Sequence, residues 1–413
     1  MKKVLIAVLL SCLFLFTACS GKLGTHKKIT YWSMWSPEEP QAEVITEAAA
    51  AYTEQTGVSV DVQFVGRSGI REKLPEELAK GTVVDLFDED LDRVHTVFSE
   101  YLLDLEGLAR ANSYAKGAYP GLMTACRVAG GGSLHAIPYQ PTVVAVFYNK
   151  AIFEKAEIAD TPRTWSEFLD VCQRIKDAGY IPMTSDDAYV DCNLGYQLAR
   201  YVGQDGVKTI AGDNLWAEQP AVRKALVDYQ SLAAKGYFSP AITTNRWPAG
   251  QDGEFARGDA AMYLSGSWLP GEVAPSVGDA FSIGCFAYPS VDGGVDGLNA
   301  ATIGAQVFAI HKDSQVAEEA FDFICFLTRG EWDARLSAAT MCIPADANNA
   351  APAQLTEAQQ VLKQVRVRYD WAAGLRECGN LSAAVAENFS AVCGGTCSAD
   401  EWIRALEFAS QQS

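Results

Sequence analysis

Residues 130–150 read GGGSLHAIPYQPTVVAVFYNK, and the two prolines in this stretch, Pro138 and Pro141, limit what it can become. Each lacks a backbone N–H and holds φ at about −65°. Each also biases the residue before it, Ile137 and Gln140, towards extended geometry. A fully hydrogen-bonded central strand does not tolerate such a pair. The pattern predicts a strand ending near Ile137, a stiff extended crossing, and a second, buried strand over 143–148. That is a connection between two bodies, with Tyr139 and Gln140 exposed at the crossing. Ligands of two-lobed α/β proteins sit where the lobes meet.

The segments before the crossing alternate strand and helix. Residues 29–35 (ITYWSMW) are rich in aromatic and β-forming side chains, hence a strand. Ser36, Pro37, Glu38 and Glu39 read as a helix start, with a cap, an early proline and acids in the first turn. Val44, Ile45, Ala48 and Tyr52 keep helical spacing, and Gly57 ends the helix. Val58, Val60, Val62 and Phe64 alternate as a second strand. A strand, a helix and a strand at these lengths imply a parallel pair with a right-handed crossover. The end of the first strand, Met34, Trp35 and Ser36, then faces the ligand crevice. A helix over 70–80 follows, then the apolar run 83–87 and the carboxylates Asp85, Asp88, Glu89, Asp90 and Asp92. These carboxylates fit a glycosidase pair, ligand acceptors at a strand end, or a solvated loop.

Beyond the crossing, Thr164 and Glu167 make a capping box. Phe168, Val171, Cys172 and Ile175 form that helix's buried face, and 181–184 is a short strand. In EFARGDAAMYLSGSW (254–268), Gly258 turns the chain and AAMYL is a buried strand. Gly266 lets the backbone approach a ligand. Trp268 then ends the strand, either as core or as a stacking platform. Residues 398–401 cap a last helix.

The 413 residues suffice for two domains, each with its own core. A net charge of −18 argues against nucleic-acid binding, because nothing would displace counterions from phosphates. At the N-terminus, Lys2 and Lys3 precede an apolar stretch of 13 residues, 4–16, too short to span a bilayer as a helix. It ends Thr17, Ala18, Cys19, which resembles a bacterial lipobox, with Phe16 where leucine is usual. Cys19 is thus the expected lipidation site, residues 1–19 the signal peptide and 20–28 a tether. Nine of the eleven cysteines remain. That number is odd, so at least one thiol is unpaired within the chain; Cys393 and Cys397 are close enough to bridge. The four histidines are not spaced to share a metal, and no nucleophile elbow, phosphate loop or dinucleotide fingerprint occurs. No metal, no cofactor and no catalytic residue is expected.

Together, HAIPYQPTVVAVFYNKAIFEKAEI, the PRTWSEFL that follows, and the Gly258–Ser267–Trp268 segment resemble the solute-binding proteins of ABC importers. The closest likeness is to the sugar-binding branch, to which maltose-binding protein belongs. The resemblance covers nearly the whole mature chain and is loose over 345–395; Val84 also stands where the family's turn has proline. It implies a two-lobed, periplasmic-binding-protein-like α/β fold. Each lobe would be a mostly parallel sheet flanked by helices, with a ligand cleft between the lobes. The first lobe would be 29–138 plus 288–340, the second 139–287 plus 341–413, with further crossings at 281–289 and 342–344. It implies ligand contacts at Asp88, Glu89, Tyr189 and Gln306, beside Trp35, Ser36, Tyr139, Gln140 and Trp268. The implied function is that of a monomeric, lipid-anchored extracytoplasmic receptor that binds a sugar or oligosaccharide and delivers it to an ABC permease. The alternatives are a surface-anchored glycoside hydrolase using Asp88 or Glu89, or a receptor for a non-sugar solute.

Overall fold

The computed structural model describes residues 27–278 and 281–411. The signal segment, Cys19 and most of the tether lie outside them.

Strand β1 (Lys28–Ser33) buries every second residue, Ile29, Tyr31 and Ser33, as its alternating sequence requires. The helix Pro40–Thr56 follows and ends at Gly57, whose φ of +76° is the left-handed stop. Its start lies four residues beyond the expected cap. Ser36 is not the N-cap; its N–H donates to the Glu39 carboxylate (2.7 Å), and Pro40 takes the first helical turn instead. β2 (Ser59–Phe64) pairs parallel with β1, as does β3 (Leu86–Asp90) on the other side. The helical stretch before β3 begins at Gly66, earlier than expected, and carries a π-turn over Gly69–Lys73.

β4 (Ala136–Asn149) corrects the expected interruption. It is one strand of 14 residues, prolines included. The reason lies in its neighbours. Over 136–143 it bonds only β8 (Ala300–Ile310), and β6 (Ala260–Gly266) joins only from Val144 onward. The missing proline donors therefore fall where one side of the strand has no partner. The strain appears as a register shift between Tyr139 and Thr142 and as a φ of +43° at Gln140.

The remaining strands are β5 (Ile181–Met183), β7 (Ile283–Phe286) and β9 (Val367–Tyr369). The sheet runs β2-β1-β3-β8-β4-β6-β5, with β7 on β4 and β9 on β8. β5–β6 and β8–β9 are parallel, whereas β4 and β8 are antiparallel to each other. Helices flank the sheet, giving the expected α/β class.

Two buried clusters organise the packing. The first gathers Ile29, Tyr31, Ile45, Leu86, Phe308, Phe323 and Ile343. The second gathers Cys172, Met262, Leu264, Leu226, Phe389 and Trp402. β4 feeds both: Ile137 and Tyr139 belong to the first, and beyond them the strand alternates, Val143, Ala145 and Phe147 facing the first and Val144, Val146 and Tyr148 the second. β8 is the return passage, since it pairs with β9 at Ala300 and with β3 at Ile310. Residues 283–286 therefore make no crossing; they stay on the second half of β4 as β7. Ile343 and Val365 are buried in the first cluster and Tyr369 in the second.

Arg200 fastens the base of the second cluster. It is fully buried and donates to the Pro289, Tyr288 and Ala300 carbonyls and to the Tyr369 hydroxyl, at 2.8–3.2 Å. The expected capping boxes form at Thr164–Glu167 and Ser398–Glu401. Cys393 and Cys397 do not bridge; all nine described cysteines are free thiols. Both flank a tight Gly-Gly turn and Cys393 points into the core.

Candidate binding site

The C-terminal ends of β1 and β3 and the first half of β4 meet in one hydrogen-bonded group. Asp88, on β3, is fully buried. Its Oδ1 accepts the Met34 N–H (2.9 Å), and its Oδ2 accepts the Ser33 hydroxyl (3.5 Å) and the Tyr139 hydroxyl. Tyr139 in turn accepts the Trp35 indole N–H at 2.8 Å and stacks on Phe308 with ring centres 4.2 Å apart. Burial pushes the Asp88 carboxyl up to about 7, against the opposing pull of its three donors. Burial and the Asp88 charge hold the Tyr139 phenol well above its ordinary range. Arg67 lies over the Trp35 ring at 4.6 Å.

Glu89 points away from Asp88, as alternation along a strand demands. It too is fully buried, with guanidinium nitrogens of Arg71 and Arg93 at 3.4 Å. The expected role of Asp88 and Glu89 as exposed acceptors has no surface here. Both carboxylates are engaged within the protein and hold the strand ends in place. Ser36 is half-buried beside Gly66.

At the base, Gln140 is buried, not exposed, and its amide donates to the Thr340 hydroxyl (3.0 Å). Tyr139, also expected to be exposed, is fully buried. Gln306 stands opposite Tyr139 in the β4–β8 ladder, and its Oε1 is buried without a partner.

The second wall begins two residues after β6. The Ser267 N–H donates to the Val143 carbonyl (2.9 Å), which fixes the turn onto β4. Trp268 is half-buried. Its indole N–H donates to the Tyr189 hydroxyl (2.9 Å), and its ring lies near-parallel to Trp371 at 6.5 Å and 21°. A Cβ on Gly266 would stand 2.2 Å from the indole, so only glycine lets the ring lie there.

The structure thus joins Trp35, Asp88 and Tyr139 into one group and Tyr189 and Trp268 into another, with β4 linking them. Sequence reasoning missed Trp371, Arg67 and the Arg71–Glu89–Arg93 cluster. The Glu89–Arg93 spacing of four was a usable signal. Trp371 had none: it precedes Ala372, Ala373 and Gly374, all at positive φ. A pocket of about 760 Å³ lies elsewhere. It is lined by Asp187, Ile242, Arg246, Glu387 and Ser390 and no aromatic ring.

Known proteins share this fold. Residues 36–333 match the model of the bacterial extracellular solute-binding protein family. A binding protein of Brucella abortus is 22% identical over 351 residues, covering 80% of this chain and 79% of its own. An ABC transporter-binding protein of Deinococcus radiodurans is 25% identical over 302 residues, 68% of each chain. Among solved structures, the sugar-binding protein MalE of Xanthomonas citri superposes with a TM-score of 0.70 at 20% identity, over 94% of this chain and 97% of that one. The bacterial solute receptor AcbH, described as preferring β-D-galactopyranose, gives 0.74 at 16% identity, over 94% and 97%. The chain belongs to the bacterial extracellular solute-binding protein family.

Proposed function

We propose that this protein captures a sugar or oligosaccharide in a cleft between two lobes and delivers it to the permease of an ABC importer. It does so as a monomer held to the membrane by lipid on Cys19. Two lobes meet where β4 passes Gln140, where β8 passes Gly304 and where the chain passes 365–369, and these passages serve as the hinge.

The observation that carries the reading is the Trp268 indole. It is held by Tyr189, seated on Gly266 and only half-buried. Sugar rings offer an apolar face to an indole and hydroxyls to polar groups beside it. The Gln306 amide supplies an acceptor at the base. The hydrolase alternative needs a reachable carboxylate pair, and the inward engagement of Asp88 and Glu89 favours binding without turnover. The names of the structural neighbours point the same way.

A glycan panel screened by thermal shift tests the proposal. A ligand at 100 times its dissociation constant adds about 2.7 kcal/mol, and the bound sugar should be recovered intact. Failure of every sugar to stabilise the protein would overturn the reading. Cleavage that disappears in Glu89→Gln would replace it with the hydrolase.

A further inference from the structure

Near the Trp268 platform lie three carboxylates, none of them paired with a basic side chain among the described residues. Asp186 ends the loop after β5; Asp252 opens the helix Gln251–Ala256; Glu272 lies one turn beyond Trp268, its N–H bonded to the Trp268 carbonyl (3.2 Å). The three are linked through the platform itself. Tyr189, directly after Ala188 and like it donating its N–H to Asp186, accepts the indole hydrogen bond. Tyr263 donates to Asp252 at 2.7 Å, and Ser265 stands on the same face of β6 two residues on.

Several polar atoms in this region are buried and unsatisfied. Asp186 is 1% exposed; its Oδ1 accepts the Ala188 and Tyr189 N–H groups, but its Oδ2 has no partner. The Ser265 hydroxyl and both amide atoms of Gln251 are also buried without partners. Neighbouring Glu254 shows the contrast, its carboxylate being filled by Thr184, Ser239 and Asn245. Among the described residues no ion pair reaches Asp186, Asp252 or Glu272. The basic side chains of the adjoining loops, Arg246 and Arg257, are engaged with Asp187 and Asp259. The mutual influence of the carboxylates is visible in their acidity. Burial first, then the charges of Asp252 and Asp186, pushes Glu272 up to about 7. Burial, with Asp187 and Asp252 adding, does the same to Asp186. Glu272 is partly exposed and Asp186 buried, so the carboxylates run from solvent into the wall.

A neutral polyol would satisfy the lone pairs but do nothing for the charge of the carboxyls that are ionised, which burial now holds towards their protonated form. A cation would satisfy both. We infer that the sugar taken by this site carries a positively charged amino group, seated against Asp252, Glu272 and the free oxygen of Asp186 while a ring face rests on Trp268. This inference rests on the sugar-receptor reading and names its substrate class.

Calorimetry on the mature chain tests it with matched pairs: glucose and glucosamine, galactose and galactosamine, cellotriose and fully de-acetylated chitotriose. At least one amino sugar should bind tenfold or more tightly than its neutral partner, and the gap should shrink as salt is raised. Glu272→Gln, at an exposed position that cannot unfold the chain by losing a buried contact, should remove that preference. Asp252→Asn should weaken it as well. If no amino sugar exceeds its partner, whether the pair ties, the neutral sugar wins or neither binds, the inference is overturned. Neutral sugars that do bind in that case leave the sugar-receptor reading standing; if neither member of any pair binds, that reading loses its support too.

Discussion

Asp88 should make the protein less stable as pH rises, and the size of the effect follows from its surroundings. The carboxyl is fully buried and titrates at about 7 in the fold, against 3.8 when exposed. Below about pH 4 both folded and unfolded states hold the proton, and the group is neutral in the balance. Between about pH 4 and 7 the unfolded chain releases it while the fold keeps it. Each pH unit then removes about 1.4 kcal/mol of stability. Over the roughly three units separating the two values the loss reaches about 4 kcal/mol, an upper figure since buried sites relax. Above about pH 7 both states are ionised and the loss is complete. Asp88→Asn removes the titration while keeping the shape and an oxygen for the Met34 N–H. Urea unfolding of both proteins across this range, followed by circular dichroism, isolates the group. Asp186, Glu272 and Asp333, also pushed up by burial, are common to both proteins and cancel. The advantage of the wild type over the variant should fall with rising pH and then level off. An advantage that stays flat or grows would show that Asp88 is already ionised in the fold.

Two further expectations concern the base and the anchor. Arg200→Leu takes the donor from three carbonyls in the second cluster, at about 1–3 kcal/mol for each group left bare, while the Tyr369 hydroxyl keeps its bond to Asp296; thermal unfolding should drop markedly, and a wild-type melting point would refute the fastening role. Cys19→Ala should move the protein from the membrane fraction to the soluble one, or leave its signal uncleaved; unchanged partitioning by fractionation would remove the anchor.

Local signals in the sequence carried far. The alternation of β1 and β2, the glycine stop at Gly57 and both capping boxes depend on near neighbours, and the fold follows them. What failed depended on distant partners. The prolines of β4 are tolerated because β6 does not reach them, a fact set by residues more than a hundred positions away. The Asp88 and Glu89 carboxylates read as ligand acceptors at a strand end, since composition alone cannot show that Tyr139 and Arg71 fold over them. Trp371 joined the platform through a left-handed run of alanines, a conformation their identity argues against. Gln140 and Tyr139 were placed correctly along the chain but on the wrong side of its surface. An apolar-flanked tyrosine at a crossing satisfies its hydroxyl internally as readily as with a ligand.

The platform can be tested by moving the indole without deleting it. Trp268→Ala removes the ring, and losing a central aromatic anchor costs roughly 2 kcal/mol or more, about thirtyfold in affinity. That loss alone does not separate a stacking surface from a support. Gly266→Ala does, because its added methyl would lie 2.2 Å from two ring carbons. The ring must swing away, breaking the Tyr189 hydrogen bond and its alignment with Trp371. If Trp268 binds sugar by its position, Gly266→Ala should lose about as much affinity as Trp268→Ala. In Gly266→Ala/Trp268→Ala the methyl meets no indole, so the pair should lose no more than Trp268→Ala alone; the losses should not add. Calorimetry for binding and circular dichroism for apo unfolding measure both sides on the same three proteins. Unchanged affinity in Gly266→Ala would mean that the indole is no platform. Losses that sum would mean that the two residues act separately. Gross unfolding of ligand-free Trp268→Ala would assign the ring to the core.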